Sequence, residues 1–133
     1  MEYSQIIVDT NVFVKHQRKK NKKNSKLTQL VKNYNIVTTA ITVYELFAGA
    51  VTPRHEEDIK NLLFGVEVLQ LDKESAEISA KERLRLLKQN KQFEIRDILL
   101  AGIVIKSQLP LATLNVKHFV DFRDIELLEM GDL

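Results

Sequence analysis

The 133-residue chain contains no cysteine and no tryptophan, and it has only two prolines and four glycines. The absence of cysteine excludes disulfide bonds, thiolate catalysis and cysteine-ligated zinc sites. No apolar run approaches the roughly 18 residues that a membrane-spanning helix needs. The N-terminal segment lacks the basic start and cleavage site of a secretory signal peptide, so we expect a cytoplasmic protein without membrane association.

The remaining composition is that of one globular domain. Apolar residues make up 44% of the chain and charged residues 29%, which is the balance of a folded protein rather than a disordered one. A chain of this length forms one domain with a hydrophobic core. No internal repeat and no flexible linker divides the sequence, and we therefore expect a single domain over residues 1–133.

The formal net charge of +2 conceals a separation of charges along the chain. One short segment carries seven basic residues and no acidic residue, which leaves 13 basic and 18 acidic residues elsewhere. Such a basic run is typical either of a solvated loop or of a surface that contacts a polyanion, and charge alone does not choose between them. The seven residues are Lys15, Arg18, Lys19, Lys20, Lys22, Lys23 and Lys26.

Short apolar segments alternate with helical patterns. Strands are predicted over residues 5–8, 36–39, 66–71 and 111–113, with a possible fifth over 125–128. Helices are predicted from residue 11 onward and over 26–33, 42–48, 54–64, 73–91 and 94–107. Strands separated by helices predict an α/β domain whose sheet is mainly parallel, has about five strands and is covered on both faces.

Several single residues carry local predictions. Thr42 and Asp72 are predicted N-caps of the helices that follow them. Gly102 interrupts the apolar helix 94–107 and is predicted to mark a close approach of another backbone. The inward positions of helix 73–91 are predicted to include Ile78, Leu84 and Leu87.

Acidic residues follow several of the predicted strands. Asp9 follows the first strand directly, Glu45 lies in the first turn of the predicted helix after the second strand, and Asp97 lies in the first turn of helix 94–107. The carboxyl ends of parallel strands meet at one edge of a sheet, so we expect these side chains to converge. Short polar side chains predicted at the same edge are Thr10, Asn11, Thr113 and Asn115.

Three converging carboxylates repel one another unless they are protonated or bridged by a cation. Oxygen ligands of this kind suit Mg²⁺ or Mn²⁺, and such an ion activates water and orients a phosphodiester. Each acid also has a purely structural interpretation: Asp9 as a helix cap, Thr42 with Glu45 as a capping box, and Asp97 as a partner of the helix dipole.

Four short motifs occur in a characteristic order. They are Asp9-Thr-Asn-Val, Thr42-x-x-Glu45-Leu, Arg96-Asp97-Ile-Leu-Leu-Ala and Leu111-Ala-Thr-Leu-Asn115-Val-Lys-His-Phe119. Over residues 6–128 the chain resembles the PIN-domain family, and within it the ribonuclease toxins of VapBC toxin–antitoxin pairs. The resemblance implies a three-layer α/β/α sandwich on a mainly parallel sheet, and Mg²⁺- or Mn²⁺-dependent endonucleolytic cleavage of RNA.

The resemblance also implies roles for individual residues. Asp9, Glu45 and Asp97 match the metal-binding acids of the family, with Thr10, Asn11 and Thr113 beside them. Many members have a fourth acid in or soon after the segment that begins at Thr113, whereas this chain has none before Asp121. Asn115 is the expected substitute in the catalytic site, and this departure puts a tightly held second metal ion in doubt.

The partners implied by the resemblance are an RNA such as tRNA or rRNA, and a VapB-type antitoxin that inserts a segment into the acidic groove. The basic run supplies the candidate RNA contacts, namely Lys15, Arg18, Lys19, Lys20, Lys22 and Lys23. A homodimer is also expected, through apolar helix faces that include Val43, Leu46, Phe47, Leu62 and Leu63.

Two other functions fit part of the pattern. One is a catalytically weak PIN domain that only binds RNA or a partner protein. The other is a phosphatase of the haloacid dehalogenase type, which needs a second aspartate where Asn11 stands. Two further polar residues lie near the expected site: Glu94 is interpreted as a helix-start acid, and His118 as a packing or surface residue.

Overall fold

The fold is built on a parallel β-sheet. The computed structural model describes residues 4–130. Within that range the strands are β1 (Gln5–Val8), β2 (Asn35–Thr39), β3 (Glu67–Leu69) and β4 (Leu111–Ala112). They pair in parallel in the order β3-β2-β1-β4, which confirms the predicted parallel sheet and puts β3 at an edge.

Helices cover both faces of the sheet. They are α1 (Thr10–Arg18), α2 (Lys26–Asn33), α3 (Ala40–Ala48), α4 (Pro53–Leu63), α5 (Lys73–Lys88) and α6 (Ile95–Ser107), with 3₁₀ turns at Lys22–Asn24 and Val116–His118. Ile6 and Val8 of β1 pack against α1–α4, whereas Ile7 packs against α5 and α6. This alternation produces the expected α/β/α sandwich. None of the helices within residues 4–130 is long and apolar enough to cross a bilayer.

The possible fifth strand at residues 125–128 is reduced to one bridge between Leu111 and Leu127. The backbone N–H of Leu128 donates a hydrogen bond to the carbonyl of Leu111 at 2.9 Å. Because β4 is only two residues long, it offers too short an edge for a further strand. The sheet in the described range therefore has four strands rather than five.

The sequence suggested Thr42 as the N-cap of α3, but the N-cap in the structure is Thr39. The backbone N–H of Thr42 donates to the hydroxyl of Thr39 at 3.3 Å, so the helix begins directly where β2 ends. Thr42 is fully buried inside the helix, and Glu45 lies in its second turn rather than its first. The predicted capping box of Thr42 and Glu45 is therefore wrong, because the sheet determines where the helix starts.

Helix α5 begins as predicted at Asp72, whose carboxylate accepts a hydrogen bond from the backbone N–H of Ser75 at 2.9 Å. Its inward face differs from the prediction, since Leu84 and Leu87 are 56% and 45% exposed. The helix ends at Lys88 instead of continuing to residue 91. The buried positions of α5 are Ser75, Ser79, Glu82 and Leu86.

The close contact between α5 and α6 explains which residues of α5 are buried. A Cβ atom on Gly102 would lie 2.0 Å from the Ser79 hydroxyl oxygen and 2.2 Å from the Ser75 carbonyl oxygen. Small side chains are therefore needed on both helices where they cross. The prediction that Gly102 marks a close backbone approach is confirmed, and α6 is held at a fixed depth in the domain.

Glu82 attaches the segment after the second 3₁₀ turn to α5. Its carboxylate accepts hydrogen bonds from the Arg85 guanidinium at 2.8 Å and from the backbone N–H of Arg123 at 2.9 Å. Burial would raise the pKa of Glu82, but these hydrogen bonds outweigh it and the pKa is lowered. The Arg85 guanidinium also donates to the carbonyl of Asp121 at 2.7 Å, which fixes the chain just beyond Val116–His118.

Candidate metal centre

Asp9 lies at the junction of β1 and α1 and is 1% exposed. One carboxylate oxygen accepts a hydrogen bond from the backbone N–H of Thr10 at 2.8 Å, so Asp9 is the N-cap of α1. The other oxygen accepts from the Thr113 hydroxyl at 2.9 Å. The structural and functional interpretations of Asp9 are therefore compatible, because the cap fixes the direction of a carboxylate that also points into the site.

Glu45 and Asp97 approach Asp9 from two other elements. Glu45 extends from the second turn of α3, and one of its carboxylate oxygens lies 2.6 Å from the Thr10 hydroxyl. Thr10 also contacts the Thr42 hydroxyl at 2.9 Å, so buried Thr42 supports the site even though it is not a cap. Asp97 lies in the first turn of α6 and is 3% exposed.

Arg96 joins the three carboxylates. Its Nη2 lies 3.0 Å from an Asp9 oxygen, its Nη1 lies 2.9 Å from an Asp97 oxygen, and its Nε lies 3.2 Å from a Glu45 oxygen. The same Nη2 also pairs with the second Glu45 oxygen. The expected convergence of the three acids at one edge of the sheet is thus present, and one guanidinium lies among them.

Burial would lower the pKa of the Arg96 guanidinium, but its hydrogen bonds to Glu45 and Asp9 raise the pKa above the ordinary value for arginine. Arg96 therefore carries a positive charge around neutral pH. No role for Arg96 was predicted from the sequence, although it adjoins Asp97 in the third motif. Arg96 and Asp9 are 87 positions apart in the sequence, so no local sequence pattern predicts their contact.

Asn11 attaches the loop after β4 to α1. Its side-chain oxygen accepts from the backbone N–H of Leu114 at 3.0 Å, and its side-chain nitrogen donates to the Thr113 hydroxyl at 3.3 Å. The backbone N–H of Asn115 also donates to that hydroxyl at 3.1 Å. The Asn115 residue is exposed at the rim of the site, whereas Asn11 and Thr113 hold the loop and orient Asp9.

His118 and Glu94 form a second side of the cluster. The Nδ1 atom of His118 lies 2.9 Å from the Asp97 oxygen that does not pair with Arg96. Glu94, Asp97 and His118 each offer a possible ligand atom within 4.8 Å of the others. His118 is exposed, in agreement with its interpretation as a surface residue, but its contact with Asp97 was not predicted because that contact depends on the 3₁₀ turn at Val116–His118.

A cleft of about 340 Å³ opens over these groups. Its walls carry the three predicted acids together with Arg96, Asn115 and His118. It lies beyond the carboxyl ends of β1, β2 and β4, where ligands bind in open parallel sheets. The family model for the PIN domain matches residues 6–124, the part of the chain that forms this cleft. The chain belongs to the PIN domain family.

Solved structures share the fold of this PIN domain over nearly its whole length. A chain of VapBC-1 from nontypeable Haemophilus influenzae has 23% identity and a TM-score of 0.81, with 95% of this chain and 98% of that chain covered. A chain of DNA-bound VapBC from Salmonella typhimurium has 19% identity and a TM-score of 0.81, with coverage of 97% and 100%.

A chain of VapBC2 from Rickettsia felis, bound to a fragment of promoter DNA, has 21% identity and a TM-score of 0.80, with coverage of 93% and 97%. No curated protein matches the sequence. At these identities the structural similarity establishes the fold of the PIN domain.

The donor set of this PIN domain fits a hard divalent cation. The carboxylates of Asp9, Glu45 and Asp97 are oxygen ligands of the kind that Mg²⁺ and Mn²⁺ prefer. Arg96 already lies among the oxygens that such an ion would use. Within residues 4–130, the group whose possible ligand atoms all lie within 4.8 Å of one another is Glu94, Asp97 and His118, whereas Asp9, Glu45 and Asp97 surround the Arg96 guanidinium.

Proposed function

We propose that this PIN domain is a Mg²⁺- or Mn²⁺-dependent endoribonuclease that acts as the toxin of a VapBC-type pair. The observation that carries the proposal is the meeting of three carboxylates from α1, α3 and α6 around one positive charge. When bound, the metal ion activates a water molecule and neutralises charge on the phosphodiester.

The residues of the chain prepare this site. Asp9, Glu45 and Asp97 would hold the ion, and Thr10 and Thr113 keep two of these carboxylates in place through their hydroxyl groups. Asn11 fixes the loop that carries the Thr113 hydroxyl. Asn115 contributes a neutral amide at the rim of the cleft, where the family often has a fourth acid. Such preorganisation is what a metal-dependent hydrolase requires from its protein.

Removal of divalent cations tests the proposal. We expect EDTA in excess to reduce cleavage of labelled tRNA or rRNA fragments to the level seen without protein. Addition of Mn²⁺ or Mg²⁺ should restore cleavage, because the acids then regain the ion that activates water. Gel electrophoresis of the products measures the outcome, and cleavage that persists in EDTA would contradict the proposal.

Binding without cleavage is the second candidate function. Arg96 offsets part of the charge of the three acids, and Asn115 is neutral where many relatives are acidic. These features favour a catalytically weak PIN domain that binds RNA or a protein. RNA binding by the wild-type protein without any metal-dependent cleavage would support this alternative.

The basic run contributes both structural and candidate RNA-binding residues. The Lys22 ammonium donates to the carbonyls of Gln17 at 2.8 Å and Lys19 at 3.1 Å, and so caps the C-terminal end of α1. The Lys19 ammonium donates to the carbonyl of Asn24 at 3.0 Å. Exposed basic residues that we propose for RNA binding are Lys15, Arg18, Lys20 and Lys23.

A groove of about 800 Å³ beside Glu45 provides a path for the RNA strand. Arg18 and Lys22 lie on one wall of this groove, and Arg54 and His55 of α4 lie on the other. The two α4 residues were not identified from the sequence, because they are distant from the basic run along the chain. Arg18, Lys22 and Arg54 place positive charges along this groove, which Glu45 and Asp58 also line, and such charges attract a phosphate backbone.

Charge removal tests the RNA contact. In an inactive Asp97→Asn background, the triple change Lys15→Gln, Lys20→Gln and Lys23→Gln should weaken RNA binding. The slope of log affinity against log salt should fall by about 0.7 for each lost contact with single-stranded RNA. Fluorescence anisotropy at several salt concentrations measures the slope.

The matched control removes three exposed lysines from α5, on the other face of the sheet: Lys73→Gln, Lys81→Gln and Lys88→Gln. This variant should keep the wild-type slope. An unchanged slope in the first triple variant would show that Lys15, Lys20 and Lys23 do not contact the RNA.

A VapB-type antitoxin is the proposed protein partner, and the cytoplasm is the proposed location. The homodimer also remains a prediction, but the apolar residues available for its interface differ from those predicted. Leu46 is 4% exposed and belongs to the core, and Phe47 packs against the same core. The exposed apolar side chains of this region are Tyr44, Val51 and Phe64.

A further inference from the structure

Arg96 contacts all three of the predicted acids. Its side chain contacts both oxygens of Glu45 and one oxygen each of Asp9 and Asp97. A planar guanidinium with several fixed donors is suited to such multiple pairing. Arg96 therefore contacts at least one oxygen of each of the three acids that a shared divalent cation would need.

Charge balance explains why a positively charged side chain lies among the three acids. Asp9 and Asp97 are almost fully buried, and Glu45 is adjacent to both through the same guanidinium. Buried carboxylates without a positive partner are strongly destabilising. Arg96 supplies that partner from within the chain, so the acidic cluster is stable before any metal ion arrives.

We propose that Arg96 is an internal counter-ion that a divalent cation must displace in order to bind Asp9, Glu45 and Asp97 together. The side chain is 23% exposed and extends from the first turn of α6, so it has a route to solvent without movement of the helix. The inference deepens the proposed nuclease function, because it concerns the same three acids. Metal binding and the Arg96 contacts then oppose each other, and each weakens the other by the same factor.

Calorimetric titration with Mn²⁺ and thermal unfolding test this competition. Arg96→Gln should bind Mn²⁺ about tenfold more tightly than wild type, an effect within the roughly 5- to 150-fold range typical of coupled binding events. Without metal, Arg96→Gln should unfold at a lower temperature than wild type. Saturating Mn²⁺ should raise the unfolding temperature of the variant more than that of wild type.

Two further variants make the result specific. Lys106→Gln removes a positive charge that pairs with Asp72 and Glu74 at the C-terminal end of α6, outside the site. It should lower the unfolding temperature and leave Mn²⁺ affinity unchanged. Arg96→Lys keeps one positive charge but loses the planar set of donors, and it should bind Mn²⁺ with intermediate affinity.

If Arg96→Gln binds Mn²⁺ no more tightly than wild type does, the inference is overturned. The absence of Mn²⁺ binding in both proteins would also overturn it. If Arg96→Gln does not fold, an affinity of Arg96→Lys equal to wild type would overturn it instead. The nuclease proposal is judged separately by RNA cleavage. Competition without cleavage overturns only the nuclease proposal, whereas metal-dependent cleavage with unchanged Mn²⁺ affinity overturns only the role of Arg96.

Discussion

Asp97→Asn is expected to reduce metal-dependent RNA cleavage at least about a hundredfold, since changing even an outer partner of a metal ligand costs up to that factor. The substitution keeps the size of the side chain but removes its negative charge and one acceptor oxygen. Asp97 is 3% exposed and lies between Arg96 and His118, where its charge faces both side chains. The initial rate of cleavage of a labelled RNA, measured with Mn²⁺, gives the effect.

The control for this variant is Asp124→Asn. Asp124 is exposed and lies near Gln108 and Leu109, at the opposite end of the sheet from the cleft. It has a positive φ of 63°, which asparagine tolerates as well as aspartate does. This variant should cleave RNA at the wild-type rate. Equal residual activity in wild type and Asp97→Asn would point to a contaminating nuclease and reject the site.

Both variants should remain folded. Asp97→Asn removes one negative charge from a cluster of three carboxylates and one guanidinium, so it reduces the mutual repulsion of the acids. Circular dichroism and the unfolding temperature check this point. A loss of cleavage with a retained fold would separate a chemical role of Asp97 from a structural one.

Gly102→Ala is expected to lower the free energy of unfolding by about 2 kcal/mol or more, the range typical of an overpacked core. The added methyl group would meet the Ser79 hydroxyl at 2.0 Å and the Ser75 carbonyl oxygen at 2.2 Å. A hydroxyl can rotate, but a helical carbonyl cannot, so α5 and α6 must move apart. The better helix propensity of alanine, about 1 kcal/mol, offsets only part of this cost. Urea unfolding followed by circular dichroism measures the difference.

Gly49→Ala is the matched control for this prediction. A Cβ atom there would lie 3.6 Å from the nearest atom, the Glu45 carbonyl oxygen, which is an ordinary contact. Its φ of −89° is open to any residue, so the stability should change by less than about 0.5 kcal/mol. Equal stability of the two alanine variants would show that the contact between α5 and α6 adapts without cost.

Gly102 and Thr42 illustrate what local sequence patterns can and cannot predict. A glycine in an otherwise apolar helix has few explanations besides a close neighbour, so its role could be predicted. By contrast, Thr39 and Thr42 are both suitable caps by residue type, and the extended backbone at the end of β2 decides for Thr39. The same holds for α5, where the approach to Gly102 selects serines over Leu84 and Leu87 for the inward face.

The sequence by itself determined the alternation of strands and helices, the parallel sheet and the edge at which three acids would gather. Each of these follows from periodicity and from the direction of strands, which are properties of short segments. Only the tertiary structure decided that Arg96 would lie among the acids and that His118 would contact Asp97. Those contacts join side chains whose meeting depends on how α6 and the Val116–His118 turn pack, and packing is a property of the whole domain.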